Sequence, residues 1–228
     1  MKIQAIILLA TLTLGACSRK VMNTNHNGTY TYLALGDSYT IGESVAYESN
    51  FPNQLSKQLG NVKSPTIIAR TGWTTGELIE AIKNSDIQGK KYDIVTLLIG
   101  VNNQYRGQSK DIYRTEFVQL LNTAINFSGD NKAHVFVVSI PDWGVTAFAA
   151  GRDRTQIAAD IDAFNAIAKQ ETDKLGVAYV NITSISKQAA TDAGLTANDG
   201  LHPSAKMYGL WVGEILPAIK NQLGIRKE

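Results

Sequence analysis

Five short apolar runs alternate with longer amphipathic stretches along this chain, and the alternation predicts its architecture. The first run, residues 30–35 (YTYLAL), has strand length and aromatic content. Gly36-Asp37-Ser38 is expected to end it in a turn, because glycine frees the backbone and Asp and Ser favour turns. A loop over residues 39–49 follows. A helix then opens at Phe51-Pro52, carries Leu55 and Leu59 four residues apart and stops at Gly60. Residues 65–69 (PTIIA) read as a second strand. Thr75 is expected to cap the next helix, whose inner face holds Leu78, Ile79 and Ile82.

Residues 92–99 (YDIVTLLI) form the strongest strand signal, nearly continuous and β-branched, as for a strand covered on both faces. Gly100-Val101-Asn102-Asn103 and a polar loop precede a helix near residues 111–127, with Ile112, Phe117, Leu120, Leu121 and Ala124 inward. Residues 133–140 and 177–182 are the fourth and fifth strands. Between them a long helix, 154–175, keeps Ile157, Ile161, Phe164 and Ala168 on one face. A short helix near 184–190 and a final one over 204–223 close the chain. The last is expected to offer Ala205, Tyr208, Leu210, Trp211, Ile215 and Ile219 to the sheet, with Pro203 beginning it. Regular β-α alternation with short connections means an α/β fold: one parallel sheet, helices on both faces, right-handed crossovers.

In a parallel sheet all strand C-termini share one edge, where ligands bind. Ser38, Gly72 and Asn102 each follow one of the first three strands, so neighbouring strands would bring them together. A serine hydroxyl there can attack a carbonyl. A glycine N–H and an asparagine amide can donate to the oxyanion that develops. The serine needs a base. Of the three histidines, His26 lies near the N-terminus and His134 starts the fourth strand, at the opposite edge. His202 remains, with Asp199 three residues before it, close enough to hold imidazole Nδ1 and leave Nε2 for Ser38.

These blocks, Gly36-Asp37-Ser38, Gly72, Gly100-x-Asn102 and Asp199-x-x-His202, in this order, resemble those of the SGNH-hydrolase (GDSL esterase/lipase) family over about residues 30–223. The resemblance implies a flavodoxin-like three-layer α/β/α sandwich with a five-stranded parallel sheet in the order 2-1-3-4-5. It implies Ser38 as nucleophile, Asp199 and His202 as its partners, and an oxyanion hole of Ser38 N–H, Gly72 and Asn102. The third block departs from the family's Gly-x-Asn-Asp: Asn103 stands where an aspartate would brace the loop, and altered loop geometry with retained activity is expected.

Composition narrows the function classes. The 228 residues are 44% hydrophobic and 18% charged, which suits one globular domain. A net charge of +2 gives no reason to expect nucleic acid as partner. One cysteine and scattered histidines make no metal site. No G-x-G-x-x-G or Walker loop speaks for a nucleotide, and no cofactor is expected. Residues 1–16 read as a signal peptide: Lys2, an apolar run too short to span a bilayer, then small residues. Leu14-Gly15-Ala16-Cys17 resembles a lipobox, which implies cleavage before Cys17, its lipidation, and a bacterial envelope lipoprotein anchored to membrane. Residues 17–29 are a polar tether and 30–228 the hydrolase domain.

The expected chemistry is hydrolysis of short-chain acyl esters or lysophospholipids through an acyl-enzyme. Loops 41–47, 104–109 and 141–151 are expected to shape the acyl site, with Trp143, Phe148 and Asn103 contacting substrate. An acyltransferase or deacetylase acting on acylated carbohydrate with the same residues, and a non-catalytic surface-binding lipoprotein, stay open.

Overall fold

A computed structural model describes residues 28–225, so the expected signal segment, Cys17 and most of the tether lie outside the described residues. The five strands form one parallel sheet in the order β2-β1-β3-β4-β5. They are β1 (Tyr32–Asp37), β2 (Thr66–Arg70), β3 (Ile94–Leu98), β4 (Val135–Val138) and β5 (Ala178–Val180). The central strands β1, β3 and β4 are buried throughout, whereas the edge strands β2 and β5 are mostly half-exposed. That matches their sequences: a strand covered on both faces has no polar alternation to keep. Leu33, Leu35, Leu97 and Leu98 have no exposed surface, and each such side chain contributes about 1.5–3 kcal/mol of transfer free energy.

The helices are α1 (Ser38–Ile41), α2 (Phe51–Leu59), α3 (Thr75–Lys83), α4 (Val101–Tyr105), α5 (Lys110–Phe127), α6 (Arg154–Leu175), α7 (Thr183–Ser186) and α8 (Ala205–Leu223). Helix α2 packs on α8, while α3 packs on α5 and α5 on α6, giving a helical layer on each side of the sheet. Phe51, Tyr208 and Trp211 meet between α2 and α8, with ring centroids 5.1–6.4 Å apart. Helix α6 has the expected span. Asp153 caps its start by accepting the Gln156 N–H at 3.0 Å, and Gly176, at φ 68°, ends it.

Several local expectations shift. Strand β1 does not stop at Leu35: Gly36 and Asp37 pair with Ala69 and Arg70 of β2 and complete it. The segment after Ser38 opens as a helical turn, because the Asp37 carboxylate accepts the Tyr39 N–H at 3.0 Å and caps it. Thr75 is not the cap of α3. Thr74 is, in a capping box with Glu77, whose carboxylate accepts the Thr74 N–H at 2.8 Å. The polar loop after Asn103 is in part helix α4. Ile112 points outward at 51% exposure, and fully buried Tyr113 takes the inward position. Leu210 and Ala205 likewise face solvent, and Met207 replaces them inside. Pro203 lies outside α8, pairing with Thr196, and Ser204 is the cap. His134 ends a 3-10 turn before β4, far along the strand from its C-terminal edge.

Candidate active site

The order β2-β1-β3 makes the turns after those three strands adjacent. Ser38, Thr71, Gly72, Val101 and Asn102 accordingly line one cavity, joined from elsewhere by Tyr39, Tyr105, Trp143, Phe148, Leu201 and His202. Its volume is about 170 Å³.

Ser38 is the first residue of α1 and is 4% exposed. The strand-to-helix turn beneath it is tight. A Cβ on Gly36 would lie 2.1 Å from Thr40 Oγ1 and 2.5 Å from the Leu98 carbonyl oxygen, so only glycine fits. Gly72 sits in the turn after β2 at φ 85°, a conformation that L side chains rarely adopt. Its carbonyl accepts a hydrogen bond from Arg106 Nη2 at 2.5 Å, which orients the peptide. Asn102 is the second residue of α4. One N–H of its amide donates to the Trp73 carbonyl at 2.9 Å, which fixes the side chain and leaves a second N–H.

His202 and Asp199 form one compact turn. Asp199 Oδ1 accepts the backbone N–H groups of Leu201, at 2.9 Å, and His202, at 3.0 Å. Asp199 Oδ2 meets His202 Nδ1 at 2.6 Å. That contact assigns the proton to Nδ1 and leaves Nε2 without it. Burial alone would raise the Asp199 carboxyl, but the donors from His202, Leu201 and Ser44 together hold it well below its ordinary value. The turn is tied to the cavity wall by the Phe148 N–H, which donates to the Gly200 carbonyl at 3.0 Å.

The wall is aromatic. Trp143 stands between Tyr105 and Phe148, with ring centroids 5.5 and 6.0 Å away. Its indole N–H donates to Gln104 Oε1 at 2.9 Å. The Arg152 guanidinium lies 5.2–5.4 Å from all three ring centroids and donates to the Tyr105 hydroxyl at 3.2 Å. Cation–π contacts of this kind hold the three rings as one unit.

Ser38, Gly72, Asn102, His202, Trp143 and Phe148 thus border one cavity, and Asp199 stands behind His202. Asn103 does not join them. It is fully buried, accepts the Thr75 N–H and donates to Thr75 Oγ1 and Gln108 Oε1, so it braces the helix starts and does not line this cavity. Four lining residues escaped sequence reasoning: Tyr39, Thr71, Val101 and Leu201, each a chain neighbour of an expected site residue, so that adjacency was the available signal. Tyr105 comes from the segment 104–109 that was expected to shape the site, one helical turn after Asn102. Ser44 lies in the loop 41–47 expected to shape the site, but the bond from its hydroxyl to Asp199 Oδ2, at 2.7 Å, carried no sequence signal.

A parallel 2-1-3-4-5 sheet with this edge cavity has the build of a carboxylic ester hydrolase. The chain belongs to the GDSL-like lipase/acylhydrolase family, whose model matches residues 34–210. No curated protein matches it. Among solved structures it is similar to the psychrotrophic esterase EstA from Pseudoalteromonas sp., at 18% identity and a TM-score of 0.66, over 86% of this chain and 99% of that one. It is also similar to a variant of Axe2, an acetyl-xylooligosaccharide esterase from Geobacillus, at 16% identity and a TM-score of 0.65, over 87% and 96%. Phospholipase A1 from Streptomyces albidoflavus matches at 19% identity and a TM-score of 0.62, over 86% and 100%.

Proposed function

We propose that this chain hydrolyses esters of short acyl groups through an acyl-enzyme on Ser38. One observation carries the reading: Ser38, Gly72, Asn102 and the Asp199-bound His202, drawn from four separate segments, border the same aromatic-walled cavity. His202 Nε2 takes the Ser38 proton as Oγ attacks the ester carbonyl, and Asp199 stabilises the imidazolium through Nδ1. The oxyanion is met by the N–H groups of Ser38 and Gly72 and the free N–H of Asn102. His202 then protonates the leaving alcohol. Water, losing a proton to His202, attacks the acyl-enzyme and releases the carboxylic acid, and the proton returns to Ser38 Oγ.

The cavity favours small acyl groups. At about 170 Å³ it is below the range of about 300–1,000 Å³ for pockets that enclose drug-sized ligands. A long chain would have to leave it across Tyr105 and Phe148. Short-chain esters and acetylated sugars therefore head the substrate classes, a lysophospholipid having to lay its long acyl chain over those two rings, and the similar structures include an acetyl-xylooligosaccharide esterase and a phospholipase A1. The lipobox-like Leu14-Gly15-Ala16-Cys17 supports an envelope location with a lipid on Cys17. Loss of palmitate labelling in Cys17→Ser tests that part.

A panel of p-nitrophenyl esters of increasing acyl length, with acetylated sugars and lysophospholipids alongside, tests the activity. Turnover that peaks at short acyl groups, with a pre-steady-state burst that Ser38→Ala abolishes, is expected. Undiminished turnover in Ser38→Ala would overturn the proposal. Product analysis with added acceptor alcohol separates hydrolysis from acyl transfer.

A further inference from the structure

The segment joining α1 to the rest of the chain carries two unusual backbone conformations within three residues. Gly42 has φ 81° and Ser44 has φ 66°. For a residue with a Cβ, the left-handed region costs of order 1 kcal/mol or more. Ser44 has no helix or strand to hold it there. Its side chain has a specific partner instead, Asp199, 155 positions away in sequence.

Oγ of Ser44 donates to Asp199 Oδ2 at 2.7 Å, the same oxygen that meets His202 Nδ1 at 2.6 Å. Oδ1 is filled by the N–H groups of Leu201 and His202. The carboxylate therefore has four donors, three of them from its own turn. Ser44 is the only one of the four that belongs to the nucleophile's side of the cavity. The residue before it, Glu43, accepts a hydrogen bond from the hydroxyl of Thr71, the neighbour of Gly72. One short strap leaving the Ser38 helix thus grips both the turn that holds Gly72 and the turn that holds His202.

We infer that Ser44 is a positioning residue for the acid–base pair: its hydroxyl sets the direction and charge of the Asp199 carboxylate and so aims His202 at Ser38. The inference rests on the triad reading above. A second donor on Oδ2 spreads the carboxylate charge and makes it a weaker partner for a protonated imidazole. It also adds, from across the cavity, to the bonds that keep Asp199 from rotating about its side-chain torsion and carrying the ring with it. The other ionisable groups around the pair include the phenols of Tyr39 and Tyr208 and the carboxylates of Asp37, Glu43 and Asp142. None of them hydrogen-bonds to Asp199 among the described residues.

Two variants separate the hydroxyl from the backbone. Ser44→Ala removes Oγ and keeps the φ strain. Ser44→Gly removes both. If Oγ positions the pair, both lose roughly tenfold or more in kcat/KM for a p-nitrophenyl ester, and the acidic limb of the pH profile moves to higher pH in both. The low-field proton resonance of His202 Nδ1–H, read by NMR without any substrate, shifts in both as well. Full activity in Ser44→Gly, or an unmoved pH limb and unmoved Nδ1–H resonance, overturns the inference. Inactive parent protein with a resonance that still responds to Ser44 would instead strike the esterase reading and leave the positioning intact.

Discussion

Asn103 and Thr75 clasp each other twice: the Asn103 carbonyl oxygen accepts the Thr75 N–H at 3.1 Å, and its amide donates to Thr75 Oγ1 at 2.6 Å. The pair ties the start of α3 to α4, the helix that presents Asn102. The Thr75 hydroxyl in turn donates to Glu116, so an amide at 103 matches a neighbourhood that already holds one carboxylate. Asn103→Ala should lose about 1–3 kcal/mol of stability, the cost of stranding a buried N–H. Asn103→Asp, which restores the family's usual residue, should lower the melting temperature more at pH 8 than at pH 5, because it ionises beside Glu116. Thermal unfolding at the two pH values checks both; an equal effect at both pH values for Asn103→Asp would rule out the charge conflict.

Asn102→Ala should lower kcat by about 10²–10³ while KM changes only a few-fold, as expected for a donor that acts on the oxyanion. The anchoring bond to Trp73 predicts that the amide arrives already oriented. Steady-state kinetics on p-nitrophenyl acetate decides; a loss confined to KM would assign Asn102 to ground-state binding.

Two glycines should respond differently to alanine. Gly36→Ala drives a Cβ to 2.5 Å from the Leu98 carbonyl, backbone that cannot yield, and should cost about 3 kcal/mol or more. At Gly72 only Arg106 Nη2 approaches, at 3.5 Å, so the cost is the conformational one at φ 85°, about 1–2 kcal/mol. Urea unfolding should rank them in that order, with Gly72→Ala folded but impaired in kcat.

Asp37 should make stability pH-dependent. It is fully buried, its Oδ2 has no hydrogen-bond partner, and burial pushes its carboxyl from 3.8 up to about 7. Below the unfolded value both states hold the proton and the group is neutral to stability. As pH rises from 3.8 towards 7 the unfolded chain releases it and the folded chain keeps it, so stability falls, and above 7 the loss is complete. Asp37→Asn cannot ionise. Its stability relative to the parent should therefore improve steadily across that interval, whatever constant cost the substitution carries. Urea midpoints at several pH values measure the difference; a constant gap would contradict the assignment.

Arg152→Ala should loosen the ring cluster of Tyr105, Trp143 and Phe148. With cation–π contacts at exposed sites worth about 0.5–1 kcal/mol, KM for short acyl esters should rise several-fold with kcat within about twofold. Matched KM values in parent and variant would mean that the rings hold their places unaided.

Much of this fold is legible in residue order because its helices and strands declare themselves locally. Helix α6 has its period, its Asp153 cap and its Gly176 stop all within its own sequence. Strand β3 is apolar at every position but Thr96 because helices cover both of its faces. Boundaries next to the site were less legible. Gly36 and Asp37 look like a turn, yet pairing with β2 keeps them extended. Ile112 looks like a core position, yet the rotation of α5 on its neighbours puts Tyr113 there.

Local chemistry along the chain was enough to set the alternation of elements, the serine after a strand and the Asp-x-x-His turn, since each depends on contacts a few residues apart. Which face Asn103 serves, that an arginine grips three rings, and that Ser44 reaches Asp199 were settled only by tertiary packing. Those contacts join residues that no periodicity relates, and only the order of strands in the sheet makes them neighbours.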